Sequence, residues 1–196
     1  IYKLPNEKCE LLVMGADDEE VERAGTLANQ QRVRNELGIT EDDFLIVTGG
    51  KIDEWKTQTL LLMEAINNIK KDNVKLLIFG PISDKIRDKF DALLDKNKMR
   101  YVSWANTQQS YDYFAIADLV VFPGRHSVYW EQVVGQGKPM ICKYWEGTTH
   151  VDCGGNVVFF KEDSVKEIEK KICDLIESPE ACNKMRKVAT EIGKEK

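Results

Sequence analysis

Short unbroken apolar runs alternate along the chain with longer stretches in which apolar residues recur every three or four positions. The runs at residues 44–48 (F-L-I-V-T), 74–79 (V-K-L-L-I-F), 100–103, 119–122 (L-V-V-F), 139–142 and 157–160 predict strands, because a continuous β-branched and aromatic run marks a strand buried on both faces. Between them, residues 59–70 carry Leu62, Ile66 and Ile69 at helical spacing, and residues 84–97 place Ile86, Phe90, Leu93 and Leu94 on one face. Further helices are predicted at 111–115, 164–177 and 179–192, and a short one starts at Val128 with Ser127 as its cap. Ahead of the first strand, residues 19–37 are helix-like but interrupted by Gly25, and Gly38 supplies a C-terminal stop. The apolar run at 11–14 reads as a strand or a linker.

Helices between successive strands are the crossovers that parallel neighbours require. The pattern therefore predicts one α/β domain over residues 1–196, Rossmann-like, with a six-stranded, mainly parallel sheet and helices on both faces. A parallel sheet gathers the carboxyl ends of its strands on one edge, and ligands of open α/β sheets bind outside that edge. Here the edge collects residues 49–51, Gly80 and Pro81, 104–106, 124–127 and 143–150.

Those strand ends carry the residues with chemical character. Gly49 and Gly50 precede Lys51 and Lys56 just before a helix; glycines let a phosphate approach the backbone, and two ammonium groups match a diphosphate. The same residues also make an ordinary solvated turn, and the spacing is neither a Walker loop nor a G-x-G-x-x-G fingerprint. After the fourth strand come Arg125, His126, Ser127, Glu131 and Gln132. His126 and His150 are the two histidines of the chain and both fall at strand ends, where each is a candidate ligand contact or a structural group. Glu131 is either a partner for a ribose diol or a first-turn acid favoured by the helix dipole. The polar, glycine-rich loop at 145–156 offers Glu146 and Asp152 to hydroxyl groups, or uses them in a hydrogen-bonded turn. Serine, histidine and aspartate all occur here, but Ser127 lacks the G-x-S-x-G elbow of a hydrolase.

Composition narrows the partners. Of the 196 residues, 42% are hydrophobic and 31% charged, and no apolar run approaches the roughly 18 residues of a membrane span. A net charge of −5 gives no basic footprint for nucleic acid. The five cysteines form no C-x-x-C pair and no zinc-type spacing, which reads as reduced thiols of a cytoplasmic protein. No metal site and no cofactor are expected. A start on Ile1 rather than methionine suggests a fragment of a longer protein.

With these residues in view, the chain resembles the C-terminal, nucleotide-sugar-binding domain of a group 1, family 4-like glycosyltransferase of the glycosyltransferase B fold. L-V-M-G-A-D at 12–17 is similar to the family's P-N-G-V-D opening; G-K-I-D-E-W-K at 50–56 resembles G-R-L-x-x-x-K, with Lys51 for the arginine and Lys56 matching the lysine. A-D-L-V-V-F-P at 117–123, G-K-P at 137–139 and G-G-N-V-V-F at 154–159 match further family motifs in order. The departure is at the acids. The family carries two glutamates with about seven residues between them; ungapped counting from Gly137 puts Gln132 at the second, with Glu131 one residue short, and no acid at the first.

The resemblance implies a retaining, metal-independent transfer from a nucleoside diphosphate sugar, in polysaccharide or glycoconjugate synthesis, to an acceptor held by an N-terminal domain. Lys51, Lys56 and His126 are implied at the catalytic end, and Gly49, Gly50, Gly80, Trp104, Arg125, Ser127, Glu131 and Gln132 around the donor. The isolated domain would be inactive, and the longer enzyme would have room for peripheral membrane contact. Two other readings stay open: a non-catalytic nucleotide or sugar-phosphate binding module, and a nucleotide-sugar epimerase of similar fold.

Overall fold

The computed structural model describes residues 5, 7, 9 and 14–193. Six strands, β1 (Phe44–Gly49), β2 (Val74–Phe79), β3 (Met99–Val102), β4 (Leu119–Phe122), β5 (Met140–Lys143) and β6 (Val157–Phe160), form one sheet in the order β3-β2-β1-β4-β5-β6. Every pairing is parallel, so the sheet is wholly rather than mainly parallel. The order reverses between β1 and β4, which is the switch point of a doubly wound sheet.

Strand side chains alternate between two cores. Ile46, Leu76, Ile78, Leu119, Val121 and Ile141 face α3 (Gln58–Asn68), α4 (Asp84–Leu93) and α7 (Val165–Glu177). Leu45, Val47, Leu77, Phe79, Val120 and Cys142 face α2 (Leu27–Leu37), α5 (Thr107–Ala115) and α6 (Tyr129–Gly135). The helix α1 (Asp18–Ala24) rests on α5, where the Tyr111 hydroxyl accepts the Asp17 N–H at 2.7 Å. Last in the chain, α8 (Pro179–Glu191) adds Met185 to the first core.

Several boundaries depart from the sequence expectation, each for a local reason. The 19–37 segment is two helices: Gly25 ends α1, and the Thr26 hydroxyl caps α2 through the Asn29 N–H. The helix expected at 84–97 stops at Leu93, because Asp95 turns the chain by accepting the Asn97 N–H while its carbonyl takes Lys98 and Met99. The helix expected at 111–115 begins earlier, at Thr107, on a capping box between Asn106 and Gln109. In α6 the first helical residue is Tyr129; Val128 holds the cap position without a side-chain bond, and Ser127 Oγ accepts the Tyr129 N–H at 3.4 Å. The apolar run at 11–13 lies outside the described residues. None of the helices among the described residues is long and apolar enough to cross a membrane.

Candidate functional site

Strand register opens a crevice at the switch point. β1 pairs with β2 through Gly49, and β4 pairs with β5 through Phe122, but β1 and β4 pair only at Ile46 with Leu119 and Val47 with Val120. Their carboxyl ends therefore part, each staying with its outer neighbour. The gap is lined from β1 by Gly49, Gly50, Lys51 and Lys56 and from β4 by Phe122, Pro123, Gly124, Arg125 and Ser127.

The glycine pair is set by packing at this edge. The ring of Phe79 occupies the space a Gly49 Cβ would need, and a Cβ on Gly80 would collide with the Gly50 carbonyl. Both Gly50 (φ 125°) and Gly80 (φ 128°) adopt backbone that L side chains rarely take. The two turns thus close on one another, extended by a bridge between Ile52 and Ile82.

Cationic groups face the gap from both walls. Lys51 Nζ lies 3.0 Å from Asp53, and Lys56 has no ion-pair partner among the described residues. Burial raises the Asp53 pKa, but hydrogen bonds from Lys51 and the Trp55 N–H bring it below its ordinary value. The helix α3 starts here, and Thr57 at its cap makes no side-chain hydrogen bond to the first turn. On the opposite wall, the Arg125 guanidinium lies 5.7 Å from the Trp145 ring centroid, and the same indole donates Nε1–H to the Gly124 carbonyl at 3.3 Å. The Gly124–Arg125 turn is thereby fixed by a residue from the β5–β6 loop.

Sequence reasoning named Lys51, Lys56, Gly49, Gly50, Arg125 and Ser127, and the fold brings these six to one crevice. Gly80 supports it from below, and Trp104 is 68% exposed beyond the end of β3, on the same sheet edge. Glu131 and Gln132 are both buried but point different ways, as helical neighbours must. Gln132 turns toward α5, donating Nε2–H to Ser110 Oγ at 3.1 Å. Glu131 turns toward the β5–β6 loop, where its Oε1 accepts from His126 Nε2 at 2.7 Å and His150 Nε2 at 2.8 Å. Burial raises the Glu131 pKa, and the bond from His150, the nearby dipole of its own backbone N–H and the bond from His126 outweigh that and leave it lowered. The His126 imidazole accordingly packs on Glu131 and edge-on to Trp130 at 5.0 Å, outside the residues that line the crevice. A roomier cavity, about 270 Å³, lies past α6, between residues 14–21, Glu131, His150 and Gly193.

Asp152 is occupied in a turn, its Oδ1 accepting the N–H groups of Gly154 (3.2 Å) and Gly155 (2.7 Å). Sequence reasoning passed over Gln58, Thr59 and Trp145. Thr59 lines the crevice, and Gln58 Nε2 donates to Asp163 at 3.3 Å. The available signal was positional: Gln58 and Thr59 open the helix after Lys56, and Trp145 is an aromatic residue just past a strand end.

The chain as a whole matches a known family. The model of "Glycosyl transferases group 1" matches residues 29–192, most of the chain. The chain belongs to the group 1 glycosyl transferases. No curated protein matches the chain. Among solved structures, this group 1 glycosyl transferase chain is similar to WaaG, a glycosyltransferase involved in lipopolysaccharide biosynthesis, with a TM-score of 0.79 at 15% identity over 100% of this chain and 54% of that one. It is also similar to a glycosyltransferase from Rickettsia africae (TM-score 0.76, 14% identity, 97% of this chain and 53% of that one). The Anabaena protein Alr3699/HepE, in complex with UDP and glucose, matches with a TM-score of 0.71 at 18% identity over 87% of this chain and 48% of its own. The chain thus spans about half the length of these structures.

Proposed function

We propose that this chain is the donor-binding half of a retaining glycosyltransferase, with the diphosphate of a nucleoside diphosphate sugar held in the crevice between β1 and β4. The observation that carries the reading is Lys56 and Lys51 facing Arg125 across the switch point, beside the start of α3. Negative charge builds on the departing diphosphate during transfer, and fixed cations at that place favour the transition state over the ground state. The base and ribose would extend toward β3 and α5, where Trp104 supplies an exposed aromatic face; Gln132, buried against Ser110, stands at the sequence position of the family's second acid. The half-length match to two-fold longer structures supports an N-terminal half that holds the acceptor. On this reading the isolated domain binds donor without transferring sugar. On the same reading the full-length enzyme is cytoplasmic, with room for peripheral membrane contact, and serves the assembly of a surface polysaccharide or glycoconjugate.

Calorimetry with UDP, GDP, ADP and their glucose derivatives tests the reading, UDP being the first choice because it is the ligand of the Anabaena structure. Saturable binding of one nucleotide diphosphate is the expected result; a folded domain that binds none at millimolar concentration overturns it. Donor-dependent transfer by the full-length protein then separates a catalyst from a binding module.

A further inference from the structure

The cluster of His126, Glu131 and His150 is absorbed by neither the crevice nor the loop turns. Its ligand-type atoms, one from each residue, lie within 4.8 Å of one another. The three residues come from the β4–α6 turn, the first turn of α6 and the Thr149–Val151 turn of the β5–β6 loop. Both imidazoles aim Nε2 at the same carboxylate oxygen, Glu131 Oε1, while Oε2 is buried with no hydrogen-bond partner. A buried carboxylate with one oxygen unsatisfied is costly, and two histidines converging on a single oxygen do nothing for the other.

We infer that His126 Nε2, His150 Nε2 and Glu131 form a binding site for a divalent transition-metal cation of the zinc class. Two imidazoles and one carboxylate are a recurrent protein ligand set for zinc, with a further position left to water or another ligand. Zinc-bound nitrogen and oxygen sit at about 2.0–2.2 Å from the ion, so tetrahedral ligands stand about 3.3 Å apart. The observed 2.7 and 2.8 Å are hydrogen-bond separations, and each imidazole needs to retreat by about half an ångström to admit the ion. Both can do so: their side chains are 34% and 41% exposed and stand on turns, whereas Glu131 is held in α6 at 9%. On binding, each neutral ring moves its proton from Nε2 to Nδ1, so the nitrogen lone pairs meet the cation.

The remaining coordination position faces open space, since Glu131 and His150 both line the cavity of about 270 Å³. The ion would tie the β4–α6 turn to the β5–β6 loop, next to Arg125 and Ser127. None of its three ligands lines the crevice, so the inference does not rest on the donor reading.

The test is titration of the metal-free 196-residue chain with zinc chloride alone, without nucleotide, by calorimetry. One equivalent should bind at micromolar or tighter affinity, and cobalt in the same site should give the visible absorption of a four-coordinate ion. His126→Ala, His150→Ala and Glu131→Gln should each weaken binding at least tenfold. His150→Ala, at a half-exposed loop position, is the variant expected to keep the fold, checked by its far-UV spectrum and melting in chelator. Absence of saturable zinc binding below about 1 mM, or one-equivalent binding that His150→Ala leaves unchanged, overturns the site and reduces the cluster to a hydrogen-bonded staple. Either result leaves nucleotide binding to be judged on its own titration.

Discussion

Gly49 lies against the ring of Phe79, which fills the volume where a Gly49 side chain would begin. The contact joins the end of β1 to the end of β2 and sets the floor of the crevice. Gly49→Ala should therefore force a shift of the aromatic ring and cost about 1–3 kcal/mol of stability. Gly15→Ala, where nothing lies within 4 Å of the new Cβ, should change stability by less than about 0.5 kcal/mol. Urea unfolding of the two variants checks the contrast.

Lys56 and Lys51 should not contribute equally to nucleotide binding. The charge of Lys51 is partly met by Asp53 at 3.0 Å, whereas Lys56 has no ion pair among the described residues. Lys56→Ala should weaken UDP by about 10- to 100-fold, the range of a charge-assisted hydrogen bond, and Lys51→Ala by only a few-fold. The loss should shrink at high ionic strength, because the crevice is open to solvent. Calorimetry at two salt concentrations measures both effects, and equal losses would place the two lysines in equivalent roles.

Trp145 braces the opposite wall at the Gly124–Arg125 turn. Trp145→Phe keeps an aromatic face for Arg125 but removes the donor to the Gly124 carbonyl. About 1 kcal/mol of hydrogen bonding within the folded chain is at stake, so the melting temperature should fall by about 2–4 °C, and the loosened turn should weaken UDP by up to about fivefold. Trp145→Ala also removes the cation–π contact and should lose about another 0.5–1 kcal/mol. Identical affinities for the parent, Phe and Ala variants would remove Trp145 from the site.

The Asp163 carboxylate holds the buried Lys143 ammonium at 2.8 Å and accepts from Gln58 at 3.3 Å. Burial pushes its pKa up, and the bonds from Lys143 and Gln58 more than reverse this, leaving it below the ordinary aspartate value. A depressed folded-state pKa contributes stability that is complete above the unfolded value of about 3.9 and is lost as pH falls through the folded value. Asp163→Asn should be about 1 kcal/mol less stable than the parent near pH 6, a modest figure because the aspartate is half exposed. The gap should close as the pH falls below the unfolded value of about 3.9, and a gap unchanged there would assign the loss to packing.

Asn106 and Gln109 form a reciprocal capping box at the start of α5. Asn106→Ala should cost about 1 kcal/mol, measured by thermal unfolding. The N-x-x-Q pattern is present in the sequence, and the helix was nevertheless expected to start four residues later, because apolar periodicity becomes evident only at Tyr111.

The sequence by itself determined the strand runs, the alternation with helices and hence the parallel sheet. A run such as F-L-I-V-T or L-V-V-F is apolar enough to be buried on both faces wherever its neighbours lie. Local chemistry also placed Lys51, Lys56, Arg125 and Ser127 at strand ends, because glycine and proline punctuate those ends whatever the tertiary arrangement. The order β3-β2-β1-β4-β5-β6 was decided by the tertiary structure alone, and with it which strand ends part to make the crevice. The same holds for Glu131 and Gln132. Adjacent in sequence, they differ by about 100° around the helix, and only packing against α5 and the β5–β6 loop selects Gln132 for Ser110 and Glu131 for the two histidines. His126 and His150 stand 24 residues apart, beyond the reach of any local spacing rule, and meet because β4 and β5 are paired neighbours whose loops leave the same edge.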